Sequence, residues 1–130
     1  MKGTRGFSGW HPCASGGGIR VDLRARAMSL STAELSILLQ RVAASLDRVA
    51  SSVRRVRIRV ADVNGDKGGL DKRCSVQVWL RGRGKVEVSS TGETIWQALS
   101  SALASVKRRC HEQVARRRHP RRNQGLPALG

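Results

Sequence analysis

The chain has 130 residues, 25 Lys and Arg against 9 Asp and Glu, a formal net charge of +16 and a sequence pI near 11.7. That length supplies one domain with a modest core, and 39% hydrophobic residues are enough to fill it. No run of about 18 apolar residues is present, so a membrane span is excluded, and the start lacks the apolar stretch of a signal peptide.

Like charges oppose compaction, so this surplus serves something other than folding, and a polyanion is its natural partner. Twenty of the 25 cations are Arg, whose planar fork suits phosphates and stacks on bases. Cys13, Cys74 and Cys110 are odd in number and far apart, with no C-x-x-C spacing, which reads as a reduced, intracellular, cytoplasmic protein without a disulfide framework.

Residues 1–18 are rich in Gly and Ser without a period and read as a disordered arm. "IRVDLRAR" then alternates: Ile19, Val21, Leu23 and Ala25 on one face, Arg20, Asp22, Arg24 and Arg26 on the other, as in a half-buried strand. "LSTAELSILLQRVAASLDRV" is a helix. Ser31 and Glu34 form a capping box, Leu30 and Leu35 a hydrophobic staple, and Leu38, Leu39, Val42, Leu46 and Val49 continue the apolar face.

"RRVRIRVAD" alternates again, with Val56, Ile58 and Val60 inward and Arg55, Arg57 and Arg59 outward. "VNGDKGGLDKR" follows, longer than an ordinary hairpin loop. "CSVQVWLRG" places Cys74, Val76, Val78 and Leu80 inward and Trp79 outward. "RGRGK" is a tight turn, and "KVEVS" is a fourth strand carrying Val86 and Val88. A helix runs from about Thr94 to Arg118, capped by Ser90 with Glu93 or by Thr91 with Thr94; Trp96 partly covers the core near its start. Residues 119–130 read as a basic flexible tail.

This order, β-α-β-β-β-α, predicts an α+β two-layer sandwich: a four-stranded sheet with both helices on one face, over residues 19–118. The open face would carry Arg20, Arg24, Arg26, Arg55, Arg57, Arg59, Arg73 and Arg81. Helix-dipole stabilisation accounts for one or two cations near the end of the last helix, not for Lys107, Arg108, Arg109, Arg116, Arg117 and Arg118 together.

Catalytic and metal-binding readings fail on spacing. "GDKGGLDK" lacks the Ser or Thr and the following helix of a phosphate-binding P-loop. "DVNGD" has its Gly in the wrong place for a calcium loop, and Arg73 stands where the closing Glu belongs. His11, His111 and His119 find no second ligand at zinc spacing. No enzyme, cofactor, metal or small-molecule substrate is expected. The expected RNA-contacting residues are Arg24, Arg26, Lys67, Lys72, Arg73, Lys107, Arg108, Arg109, Arg116, Arg117 and Arg118.

"VRIRVADVNGDKGGLDKRCSVQVWLRG", with its D-x-N-G…G-G-x-D-K-R-C hairpin, and "TIWQALSSALASVKRRC" resemble the bacterial ribosome hibernation-promoting factor and ribosome-associated inhibitor family, also called sigma-54 modulation proteins, in a short form. The resemblance runs from about Ile19 to Arg118. Asp66 replaces a frequent proline, and Ala104 and Ser105 replace a frequent Asp-Lys pair. It implies the β-α-β-β-β-α fold and binding to 16S rRNA of the small ribosomal subunit, in the cleft for messenger and transfer RNA. Translation would be blocked sterically under stress, by a protein that is a monomer off the ribosome. The alternatives are a general structured-RNA-binding module and a sigma-54 modulator acting by protein contact.

Overall fold

The computed structural model describes residues 6–13, 17–62, 72–82 and 84–118, the last three without their side chains. Five strands and two α-helices follow in the order β1 (Gly6–Pro12), β2 (Gly18–Arg26), α1 (Thr32–Leu46), β3 (Val53–Asp62), β4 (Lys72–Leu80), β5 (Gly84–Gly92) and α2 (Ile95–Arg118). A 3-10 turn, Asp47–Ser52, leads from α1 into β3.

The strands lie in the sheet in sequence order, β1-β2-β3-β4-β5. The α1 crossover makes β2 and β3 parallel, with Val21 opposite Val56 and Leu23 opposite Ile58. β3–β4 and β4–β5 are antiparallel hairpin pairs. The fold is α+β, as expected, but the sheet has five strands rather than four. The correction lies in the segment read as an arm: Gly6–Pro12 pairs antiparallel with β2, Phe7 opposite Leu23 and Trp10 opposite Arg20. Its inward positions are Phe7, Gly9 and His11, so only Phe7 gives an apolar signal. Gly18, opposite Pro12, has to be glycine, because a Cβ there would stand 2.7 Å from the His11 carbonyl oxygen.

The core is the inward half of each alternation. Ile19, Val21, Leu23, Val56, Ile58, Val60, Cys74, Val76 and Val78 are buried, against Leu38, Leu39, Val42 and Leu46 of α1 and Ala98, Leu99, Ala102, Leu103, Val106 and Cys110 of α2. Both helices therefore cover one side of the sheet. Their termini follow local chemistry. Ser31 Oγ accepts from Glu34 N at 3.0 Å, and Glu34 Oε1 accepts from Ser31 N at 2.8 Å, closing the capping box. α2 starts otherwise than expected: Thr94 Oγ1 accepts from Gln97 N at 3.2 Å, and Gln97 Oε1 accepts from Glu93 N at 2.8 Å. A bulge at Val53/Arg55 lets Val53 and Val56 both point inward although three positions apart. Gly82 and Gly84 take φ of 65° and 83° in the β4–β5 turn.

Candidate nucleic-acid interface

The side of the sheet without helices collects the outward half of each alternation. Arg20, Asp22, Arg24 and Arg26 come from β2, Arg55, Arg57 and Arg59 from β3, Arg73, Ser75, Gln77 and Trp79 from β4, and Lys85 and Glu87 from β5. Strand register decides which of them meet. Arg24 stands opposite Arg59 and Asp22 opposite Arg57. Arg59 stands opposite Ser75, and Ala61 opposite Arg73. Ala61 is short, so the face dips there. Arg24, Arg26, Arg57, Arg59 and Arg73 line a groove of about 660 Å³ together with Ser75.

Among the described residues, Asp22 is the acid that lines this groove. Its two carboxylate oxygens lie 3.9 Å from Arg24 Nε and from Arg57 Nε. Such long, solvated pairs are worth well under about 1 kcal/mol each. They leave the guanidinium edges of Arg24, which is 75% exposed, accessible to an anion. Beside the groove, Trp79 carries cations. The Arg55 guanidinium carbon lies 4.4 Å from its ring centroid, Arg57 5.5 Å and the Lys85 ammonium 5.6 Å. Trp79 thus packs on the face, as an outward strand residue with basic cross-strand neighbours should.

The residues expected to contact RNA divide into three groups. Arg24, Arg26 and Arg73 meet in the groove, joined by Arg57 and Arg59, which sequence reasoning put on the open face without naming them as contacts. Lys72 is on the other side of the sheet. It shares parity with Cys74, and its Nζ lies 3.4 Å from Asp62 Oδ2 on the paired strand, so this ion pair closes the base of the long hairpin. That parity was legible in the sequence. Arg81 also leaves the open face: its Nε donates to Ser51 O at 3.2 Å and its backbone N to Ser52 O at 2.8 Å, fastening the turn after α1.

The third group belongs to α2. Lys107, Arg108 and Arg109 are exposed. Arg109 reaches over the sheet edge and donates from Nη1 to Glu87 O at 3.1 Å, covering a carbonyl of edge strand β5. Arg116, Arg117 and Arg118 form the last turn of α2. Lys67 and the rest of the loop 63–71 lie outside the described residues, as do residues 119–130.

Burial holds the thiols protonated: Cys74 is pushed up to about 12 and Cys110 to about 11, and Cys13 is raised by burial and then by the Asp47 carboxylate. Among the described residues no three His, Cys, Asp or Glu side chains gather to hold a metal, and no helix is long and apolar enough to cross a membrane.

No family model and no curated protein matches the chain. Its fold has a solved likeness. The chain is similar to the N-terminal domain of Protein Y from Thermus thermophilus, with a TM-score of 0.53 and 23% identity, over 70% of this chain and 92% of that one. At this identity the likeness is one of fold.

Proposed function

We propose that the protein is a ribosome-associated translation inhibitor that docks on rRNA of the small subunit and works by occupying the path of messenger and transfer RNA. One observation carries the reading: five arginines from three adjacent strands converge on one groove, on the side of the sheet that the helices leave open. Nothing in the fold requires them there. Arg24 and Arg59 are directly opposed like charges, which cost stability in a sheet, and Asp22 at 3.9 Å offsets little of it. A phosphate backbone is the partner that converts this repulsion into binding, through charge-assisted forks and counterion release.

Two lines support a ribosomal partner over arbitrary RNA. The hairpin and second-helix motifs resemble the hibernation-promoting family. The β-α-β-β-β-α frame that the resemblance implies is present here as β2-α1-β3-β4-β5-α2. In this reading Arg24, Arg26 and Arg73 make the sheet-face contacts, with Lys107, Arg108 and the α2 end as a second basic surface, Lys67 approaching from the hairpin, and Lys72 and Arg109 acting through the architecture. The mechanism is steric, so no residue has a catalytic role, and the protein is cytoplasmic and monomeric off the ribosome.

The test is a sucrose gradient of purified ribosomes with added protein at low and high salt, run beside an in vitro translation assay. Co-sedimentation with the small subunit that salt disrupts, together with loss of translation, is expected. Full-speed translation with the protein in molar excess sinks the reading.

A further inference from the structure

Strand β1 adds something to the open face that the β-α-β-β-β-α frame does not need. Its outward residues are Ser8, Trp10 and Pro12, and Trp10 is 64% exposed. The chain has only three Trp. Trp96 lies partly buried under Arg41, whose guanidinium carbon is 5.5 Å from the ring centroid, and Trp79 lies under Arg55. Trp10 presents its indole to solvent on an edge strand, where a large apolar group is a liability unless something covers it.

Register places Trp10 among cations. It stands opposite Arg20. Arg20 and Arg55 occupy the positions one step before the Val21–Val56 pair, and Arg55 stands opposite Trp79. One row across the sheet therefore reads Trp10, Arg20, Arg55, Trp79, Lys85. Asp22, at the near end of the arginine groove, is the diagonal neighbour of Trp10, about 7–8 Å away. An exposed ring beside a basic groove on an open sheet matches unpaired nucleic acid: bases stack on the ring, while phosphates follow the cations. A duplex has no free base face to offer, and an acidic protein would pair the cations without supplying a base to stack on the ring.

We infer that the open face is a single-strand platform, on which an unpaired RNA segment lays one base on Trp10 and runs its phosphates through the groove of Arg24, Arg57 and Arg59. This rests on the reading of that face as an RNA surface, and it adds the form of RNA and the residue that selects it.

The probe is a mixed-sequence RNA of about 12 nucleotides, within the site sizes of single-strand binders, used unpaired and as a duplex with its complement, and labelled with 2-aminopurine. Anisotropy titrations of the full chain are expected to show Trp10→Ala weakening unpaired RNA by about 5- to 150-fold, the range of one lost base stack. Trp10→Phe should retain most of the affinity, and duplex binding should not change. Wild-type protein should quench 2-aminopurine by stacking, and Trp10→Ala should not. Equal affinity of Trp10→Ala and wild type for unpaired RNA overturns the inference. So does an equal loss on the duplex, or a wild-type dimer dissolved by Trp10→Ala with RNA binding unchanged. The ribosome assay above is read separately. Inhibition that persists in Trp10→Ala, with no Trp10 dependence on unpaired RNA, ends this inference and leaves the ribosomal reading standing. Trp10-dependent RNA binding with translation at full speed does the reverse.

Discussion

His111 is the residue whose environment is least comfortable. It sits on α2 with Nε2 buried and without a hydrogen-bond partner among the described residues. Its pKa is lowered, first by desolvation and then by the nearby charges of Lys107 and Arg48. The folded state therefore resists protonation while the unfolded chain takes a proton near pH 6.5. Between that value and the lower folded one, the unfolded state binds more protons, so stability falls as pH falls. The stabilisation is complete above pH 6.5 and is lost on acidification through that window. The thermal midpoint of the wild type should drop between about pH 7 and pH 5 more steeply than that of His111→Gln, which cannot take up the proton. Parallel curves would assign the acid sensitivity to other groups. Sequence reading found His111 only as a zinc candidate without a second ligand; its burial comes from following Cys110 on a helix pressed against a sheet, which spacing alone does not reveal.

At the scale of elements, legibility follows the strength of the period. Strands β2 and β4, and β3 beyond its bulge at Val53/Arg55, alternate cleanly, so their faces are read from the sequence and the structure keeps them. Helix α1 carries both an apolar stripe and the Ser31–Glu34 box. That box predicts a measurable loss: Ser31→Ala removes the acceptor for Glu34 N and should cost about 1 kcal/mol, seen as a lower urea midpoint with an unchanged slope. An unaltered midpoint would mean that solvent or tertiary packing substitutes for the cap. Strand β1 was illegible for the opposite reason, since Gly9 and His11 occupy two of its three inward positions and leave Phe7 alone to signal a core face. The cap of α2, Thr94, lies three or four residues beyond Thr91 and Ser90, the caps that the sequence suggests. Four polar candidates crowd Ser90–Thr94, and the chain turns tightly onto the helix there: a Cβ on Gly92 would stand 2.8 Å from Gln97 Cβ and 2.9 Å from Ala98 N. Residue type alone does not rank those four candidates; the backbone path through Gly92 has to be known as well.

For the whole molecule, charge connects stability to binding with opposite signs. Alternation told which arginines point outward, but the groove exists only because β2, β3 and β4 align Arg24 with Arg59 and set Ala61 between Arg26 and Arg73. Register joins residues 35 positions apart in sequence (24 to 59), beyond the reach of any local pattern. The same alignment concentrates repulsion. A chain with a net charge of +16 should therefore melt at a higher temperature as salt rises and screens it, while its affinity for unpaired RNA falls by about 0.7 logarithmic units per neutralised phosphate and decade of salt. Arg24→Gln with Arg59→Gln sharpens the contrast, since it removes a like-charge pair and two phosphate forks at once. The double variant should melt no lower than wild type at low salt, and its salt slope for RNA should shrink by about 1.4. If instead it melts lower and the slope is unchanged, the two arginines serve the sheet and not an anion, and the groove loses its standing as the binding surface.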